Sequence, residues 1–165
     1  MNLLSAPNLI SLLRIPLAAA FLLFEAMPTR LAVLALAAVS DFADGKIARA
    51  RSQTSRLGEL LDPVADKTFM LVAFVTLALQ RDLPVWTIPA FLTRDIGVAL
   101  GVGVLLLRGR AGRWPSRLPG KAVTWMQFGG VGVALVWPGG APWFAIFVAA
   151  AGLVALRDYA RSART

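Results

Sequence analysis

The chain has 165 residues, 58% of them hydrophobic, a formal net charge of +8, and neither cysteine nor histidine. This excludes a disulfide framework, a thiolate metal site and histidine-based chemistry, so acid–base or metal work must run on carboxylates, Lys, Arg or the single tyrosine. Apolar runs close to the ~20 residues that span a bilayer core leave little room for a soluble domain, and they explain the positive charge through cytoplasmic loops and anionic lipid, with no nucleic acid partner.

In chain order the pattern predicts an all-α integral membrane protein forming a single domain over residues 1–165, with six transmembrane helices. The first covers Leu3–Phe24 and continues past the length of a signal h-region, with no cleavage site evident. The others cover Thr29–Ala50, Gly58–Leu79, Pro84–Leu107, Gly120–Trp137 and Ala141–Tyr159. Turn signals separate them at Met27-Pro28-Thr29, Asp82-Leu83-Pro84, Pro115 to Gly120 and Pro138 to Pro142. One set of loops holds Lys46, Arg49, Arg51 and Arg56, then Arg108, Arg110, Arg113, Arg117 and Lys121, then Arg157, Arg161 and Arg164. The opposite set holds Arg30 and Arg81. The positive-inside rule makes the first set cytoplasmic and puts both termini on that side, as an even number of spans requires. Arg14, within the first helix, is placed to snorkel to the interface. Gly97-x-x-x-Gly101 suits close helix packing inside the bundle.

Acids within spans cost roughly 2.5–3.5 kcal/mol each on insertion scales and mark function by default. Asp41 and Asp44 are three residues apart in the second helix, and Asp62 and Asp66 four apart in the third, so each pair shares a helix face. All four fall toward the cytoplasmic end of one hairpin. Four close carboxylates repel unless cations neutralise them. Hard divalent ions such as Mg²⁺ take oxygen ligands and share phosphate oxygens of a substrate, and two such ions suit displacement at phosphorus. Arg49 has the planar fork for a phosphate. Two other readings compete. In one, the acids merely pair with Lys46, Arg49, Lys67 and other cations. In the other, the chain is an ion-coupled carrier, which favours a midplane site and broken helices in matching halves.

Residues Asp41 to Asp66 read D-F-A-D-G-K-I-A-R-A-R-S-Q-T-S-R-L-G-E-L-L-D-P-V-A-D. This resembles the CDP-alcohol phosphatidyltransferase signature D-x2-D-G-x2-A-R-x8-G-x3-D-x3-D at all eight fixed positions: Asp41, Asp44, Gly45, Ala48, Arg49, Gly58, Asp62 and Asp66. The resemblance implies a CDP-alcohol phosphotransferase-like bundle and transfer of a phosphatidyl group from CDP-diacylglycerol to an alcohol, with release of CMP. It implies Asp41, Asp44, Asp62 and Asp66 around Mg²⁺ or Mn²⁺, two ions in all. Asp66 would be the catalytic base, and Asp44, Gly45, Ala48, Arg49 and Gly58 would line the CDP site. It further implies a multi-pass protein of the cell (inner) membrane, an active site facing the cytoplasm, and a homodimer.

Pro7-Asn8-Leu9-Ile10-Ser11-Leu12-Leu13-Arg14 resembles the opening P-N-x-(L/I)-(S/T)-x-x-R of the phosphatidylglycerophosphate synthase and CDP-diacylglycerol-type cardiolipin synthase branch. Gly120 to Gln127 resembles that branch's G-K-x-K-T-x-x-Q, with Val123 in place of its second lysine. Thr93-Arg94-Asp95 resembles its Arg–acid pair. The acceptor implied is glycerol 3-phosphate, with phosphatidylglycerol as the alternative. Arg94 and Lys121 are the candidate contacts to the acceptor phosphate.

Overall fold

The computed structural model describes residues 12–51, 56–80, 83–107 and 118–162. Among them are seven α-helices and no strand: α1 (Arg14–Leu23), α2 (Met27–Arg51), α3 (Arg56–Gln80), α4 (Thr87–Phe91), α5 (Thr93–Leu107), α6 (Leu118–Val136) and α7 (Ala141–Ser162). The chain divides into two compact units, residues 1–79 and 80–165.

In the first unit, α1 and α2 pack together across a three-residue connection. Pro16 and Pro28 stand in the first turns of their helices, where a missing N–H costs nothing. α1 ends as Phe24 turns extended (φ −92°, ψ 123°). A helix end leaves carbonyls without intrahelical partners, and Arg30 reaches back from α2 to serve one of them. Its Nε donates to the Phe21 carbonyl at 3.0 Å, and its guanidinium lies 5.3 Å from the Phe21 ring centroid. Phe21 meets Phe69 of α3 edge-on at 6.0 Å, in a core that includes Ala18, Ala37, Ala73 and Leu77. Arg30, expected as a loop cation, is therefore a buried cap.

In the second unit α7 is the organising element, packing on α4, α5 and α6. Its buried face runs Ala141, Ala145, Val148, Gly152, Ala155, Tyr159 in steps of four and three. Small side chains at that spacing let neighbouring helices approach closely. The opposite face exposes Trp143, Ile146, Phe147, Leu153 and Val154. Helix α7 is thus apolar on both faces. The stretch Pro138–Ala160, which contains an 18-residue window of mean hydropathy 1.8, is the one among the described residues long and apolar enough to cross a membrane. Apolar stretches at Arg14–Leu23 and Lys67–Gln80 are shorter. The C-terminal half of α2 and the N-terminal half of α3 carry the charged residues that interrupt their apolar character.

The predicted fourth span is divided in two. Leu92 (φ −93°, ψ 9°) separates α4 from α5, three residues after Pro89. The Thr93 hydroxyl donates to the carbonyls of Pro89 (3.0 Å) and Ala90 (2.8 Å), side-chain back-bonding of the kind that bends helices. The path still continues, since Leu92 N bonds Ile88 O and Ile96 N bonds Leu92 O. The helices predicted as the second, third and sixth spans begin and end within three residues of their predicted bounds; the fifth begins two residues early, and residues 3–11 of the first lie outside the described residues. Gly97 is close-packed against Leu156 of α7, an internal contact.

Replacing Arg30 with Met should keep the stem's packing but remove the charged hydrogen bond to Phe21. The expected loss is about 1.5–3 kcal/mol, read as a lower midpoint of thermal unfolding in detergent.

Candidate functional site

Asp41 and Asp44 lie on α2, and Asp62 and Asp66 on α3. Four residues separate the two helices, so the Cα atoms of Arg51 and Arg56 are at most about 18 Å apart. At 1.5 Å per residue, Asp44 is about 10 Å from the end of α2 and Asp62 about 9 Å from the start of α3. Each acid pair thus lies at a similar distance from the end of its own helix that faces the connection. The side chains of Asp44, Ala48, Arg49, Asp62 and Asp66, with Gly45 and Gly58, lie outside the described residues.

Asp41 is described, and it is paired. Arg14 Nη1 lies 3.2 Å from Asp41 Oδ1, with the Arg14 side chain 0% and the Asp41 side chain 28% exposed. Arg14 therefore does not snorkel. A guanidinium removed from water needs a counter-ion, and Asp41 supplies it. Part of the structural-pairing alternative is realised at this one aspartate, with Arg14 as the cation. Among the described residues no group of three acids gathers.

In the second unit a polar cluster surrounds Arg94. Its Nη1 donates to Thr124 Oγ1 (3.3 Å) and Asp95 Oδ1 (3.4 Å), and its Nη2 to the Tyr159 hydroxyl (3.4 Å). The guanidinium carbon lies 6.0 Å from the Tyr159 ring centroid. Asp95 is held more tightly from its other oxygen. Gln127 Nε2 donates to Asp95 Oδ2 at 2.6 Å and to the Phe91 carbonyl at 2.9 Å. Arg94 Nε and Gln127 Oε1 are buried without a hydrogen-bond partner among the described residues.

This geometry explains the stretch from Gly120 to Gln127. Residues 120, 124 and 127 share a face of α6. A Cβ at Gly120 would lie 2.6 Å from the Tyr159 hydroxyl and 2.7 Å from Arg94 Nη2, so a side chain there would push these two groups from their present positions. Thr124 and Gln127 carry the bonds just described. Val123, where the branch has lysine, is buried. Lys121 is exposed, and among the described residues no hydrogen bond or ion pair joins it to the cluster. The structure thus assembles Arg94 with Asp95, Thr124, Gln127 and Tyr159, not with Lys121. Thr124 and Gln127 belonged to a recognisable stretch but had no assigned task. Tyr159 stood out only as the single tyrosine.

An all-helical chain with acid pairs on two successive helices and an apolar α7 fits one class of protein, the membrane-associated helical bundles. More specifically, the model of the CDP-alcohol phosphatidyltransferase family matches residues 4–155, and the chain belongs to that family, which is membrane-associated and generally uses divalent metal ions. A Mycobacterium tuberculosis protein bearing the name "Putative cardiolipin synthase" is 39% identical over 125 residues, 73% of this chain and 59% of that protein. A Streptomyces coelicolor cardiolipin synthase (CMP-forming) is 37% identical over 64% of this chain and 54% of its own length. An Aquifex aeolicus CDP-diacylglycerol–glycerol-3-phosphate 3-phosphatidyltransferase is 35% identical over 73% and 70% respectively. The match thus spans somewhat more than half the length of the first two relatives.

A double-mutant cycle on Arg14→Gln and Asp41→Asn should give a coupling of about 0.5–3 kcal/mol in thermal unfolding. Additive losses would mean that the pair does not interact.

Proposed function

We propose that this chain is a metal-dependent phosphatidyltransferase. It moves the phosphatidyl group of CDP-diacylglycerol to the hydroxyl of a phosphate-bearing alcohol and releases CMP. The observation that carries this reading is the complete eight-position signature, carried by α2 and α3 in a member of this family. With no histidine or cysteine in the chain, the donor set is all oxygen, which fits a hard divalent cation. Asp41, Asp44, Asp62 and Asp66 would hold the ions, whose contribution when bound is to offset charge on the diphosphate.

The chain's own groups do the rest. Asp44, Gly45, Ala48, Arg49 and Gly58 bind the CDP moiety, with the Arg49 fork on the diphosphate. Asp66 takes the proton of the acceptor hydroxyl. The hydroxyl oxygen forms a bond to the phosphorus that carries diacylglycerol, and the bond from that phosphorus to the CMP oxygen breaks. Arg94 contacts the acceptor phosphate, and Lys121 adds positive charge nearer the surface. We place six spans in the cell (inner) membrane with both termini and the site on the cytoplasmic side. Burial of Arg30 removes one cation from the opposite loops and so strengthens that charge bias. The assembly is a homodimer.

Glycerol 3-phosphate is the acceptor in this reading, supported by the Aquifex relative, 70% of which is matched. The higher identities to proteins named as cardiolipin synthases favour a second reading, phosphatidylglycerol.

Purified protein with CDP-diacylglycerol and Mg²⁺ should release CMP when glycerol 3-phosphate is added. Release with phosphatidylglycerol alone would select the second reading. No release with any alcohol would overturn the proposal in favour of a carrier or structural protein. Asp66→Asn should lower turnover about 100-fold or more while CDP-lipid still binds, and full activity in that variant would remove the base assignment.

A further inference from the structure

The bonds around Arg94 fall into two strengths. Asp95 is anchored by a 2.6 Å bond from Gln127, which is itself tied to the Phe91 carbonyl at 2.9 Å. The guanidinium is held by three longer contacts of 3.3–3.4 Å, and its buried Nε–H has no partner among the described residues. Charge-assisted bonds at full strength are nearer 2.7–2.9 Å. This is a fixed carboxylate with a guanidinium that is aimed but not saturated. An arriving phosphate can bind it without first breaking a tight ion pair. Gly120 lies against the guanidinium, and Gly152 lies against the Arg94 backbone. A Cβ at Gly152 would lie 3.2 Å from the Arg94 backbone nitrogen, so α7 passes close to the start of α5 and brings Tyr159 within reach.

We propose that Gln127 and Tyr159 are positioning residues that aim Arg94 at the phosphate of the acceptor. Gln127 acts through Asp95, and Tyr159 acts directly through its hydroxyl and ring. The inference rests on the reading of Arg94 as the acceptor-phosphate contact. Tyr159 lies beyond residue 155, where the match to the family ends, so its role comes from the geometry alone.

The test uses the full-length protein in lipid nanodiscs, with the acceptor that supports CMP release. Tyr159→Phe keeps the ring and deletes only the hydroxyl. It should raise the KM for the acceptor about three- to tenfold, leaving the KM for CDP-diacylglycerol and the melting temperature unchanged. Inorganic phosphate, tested as a competitor of the acceptor, should weaken by a similar factor. Gln127→Met removes both donors and should raise the acceptor KM at least as much. Should Gln127→Met fail to fold, the near-isosteric Tyr159→Phe decides alone. Adding Tyr159→Phe to Arg94→Lys should cost less than it does in the wild type, because the hydroxyl then has no guanidinium to aim. An unchanged acceptor KM in Tyr159→Phe, an equal rise in both KM values, or full additivity with Arg94→Lys would overturn the inference. If Arg94→Lys itself leaves the acceptor KM unchanged, the Arg94 assignment fails and the inference with it. A wild type that releases no CMP with any acceptor fails at the level of the proposed function.

Discussion

A guanidinium inside an apolar bundle must bring its own hydration substitute, because the penalty for leaving it unpaired is several kcal/mol. Three arginines impose that constraint here. Arg14 is wholly buried and takes Asp41, Arg30 takes the carbonyl end and ring of Phe21, and Arg94 takes Asp95, Thr124 and Tyr159. Each choice fixes something larger. Arg30 ties α2 to the end of α1. Arg14 ties α1 to the acid-bearing stretch of α2. Arg94 draws α5, α6 and α7 together around one group. Gly120 of α6 and Gly152 of α7 lie against this arginine.

The same constraint separates two kinds of charge. Asp41 and Asp44 lie on α2 and Asp62 and Asp66 on α3, and Asp41 already answers to a buried cation. Arg14 on Asp41 Oδ1 is compatible with a metal-binding role for Asp41, since a carboxylate has two oxygens and room for several partners. It also means that Asp41 contributes to the fold as well as to the proposed chemistry. The Arg94 cluster is the reverse case. Its acid is locked by Gln127 and its base is loosely held, an arrangement suited to binding an anion.

Much of this was legible in the sequence. The long helices were, because their apolar runs and proline–glycine breaks are strong local signals. The helical location of Asp41, Asp44, Asp62 and Asp66 was too, because it follows from the same runs. What was not legible depends on partners distant along the chain. Arg14 and Arg30 read as interfacial or loop cations, since nothing local shows that Asp41 lies 27 positions on or that Phe21 presents a free carbonyl end. The division at Leu92 comes from the combined effect of Pro89 and Thr93, which single-residue signals do not convey. Tyr159 was silent because its partner Arg94 lies on α5, 65 residues away. Lys121, next to Gly120 in sequence, is exposed on α6, while Gly120, Thr124 and Gln127 line the Arg94 cluster.

The central claim is direct attack of the acceptor hydroxyl on the phosphorus carrying diacylglycerol. Acceptor labelled with ¹⁸O in its free primary hydroxyl tests it in one turnover mixture analysed by mass spectrometry. The account predicts that the label appears whole in the bridging position of the lipid product, with unlabelled CMP. Label joined to the cytidine-side phosphorus together with phosphatidic acid, or label lost to water, would contradict it.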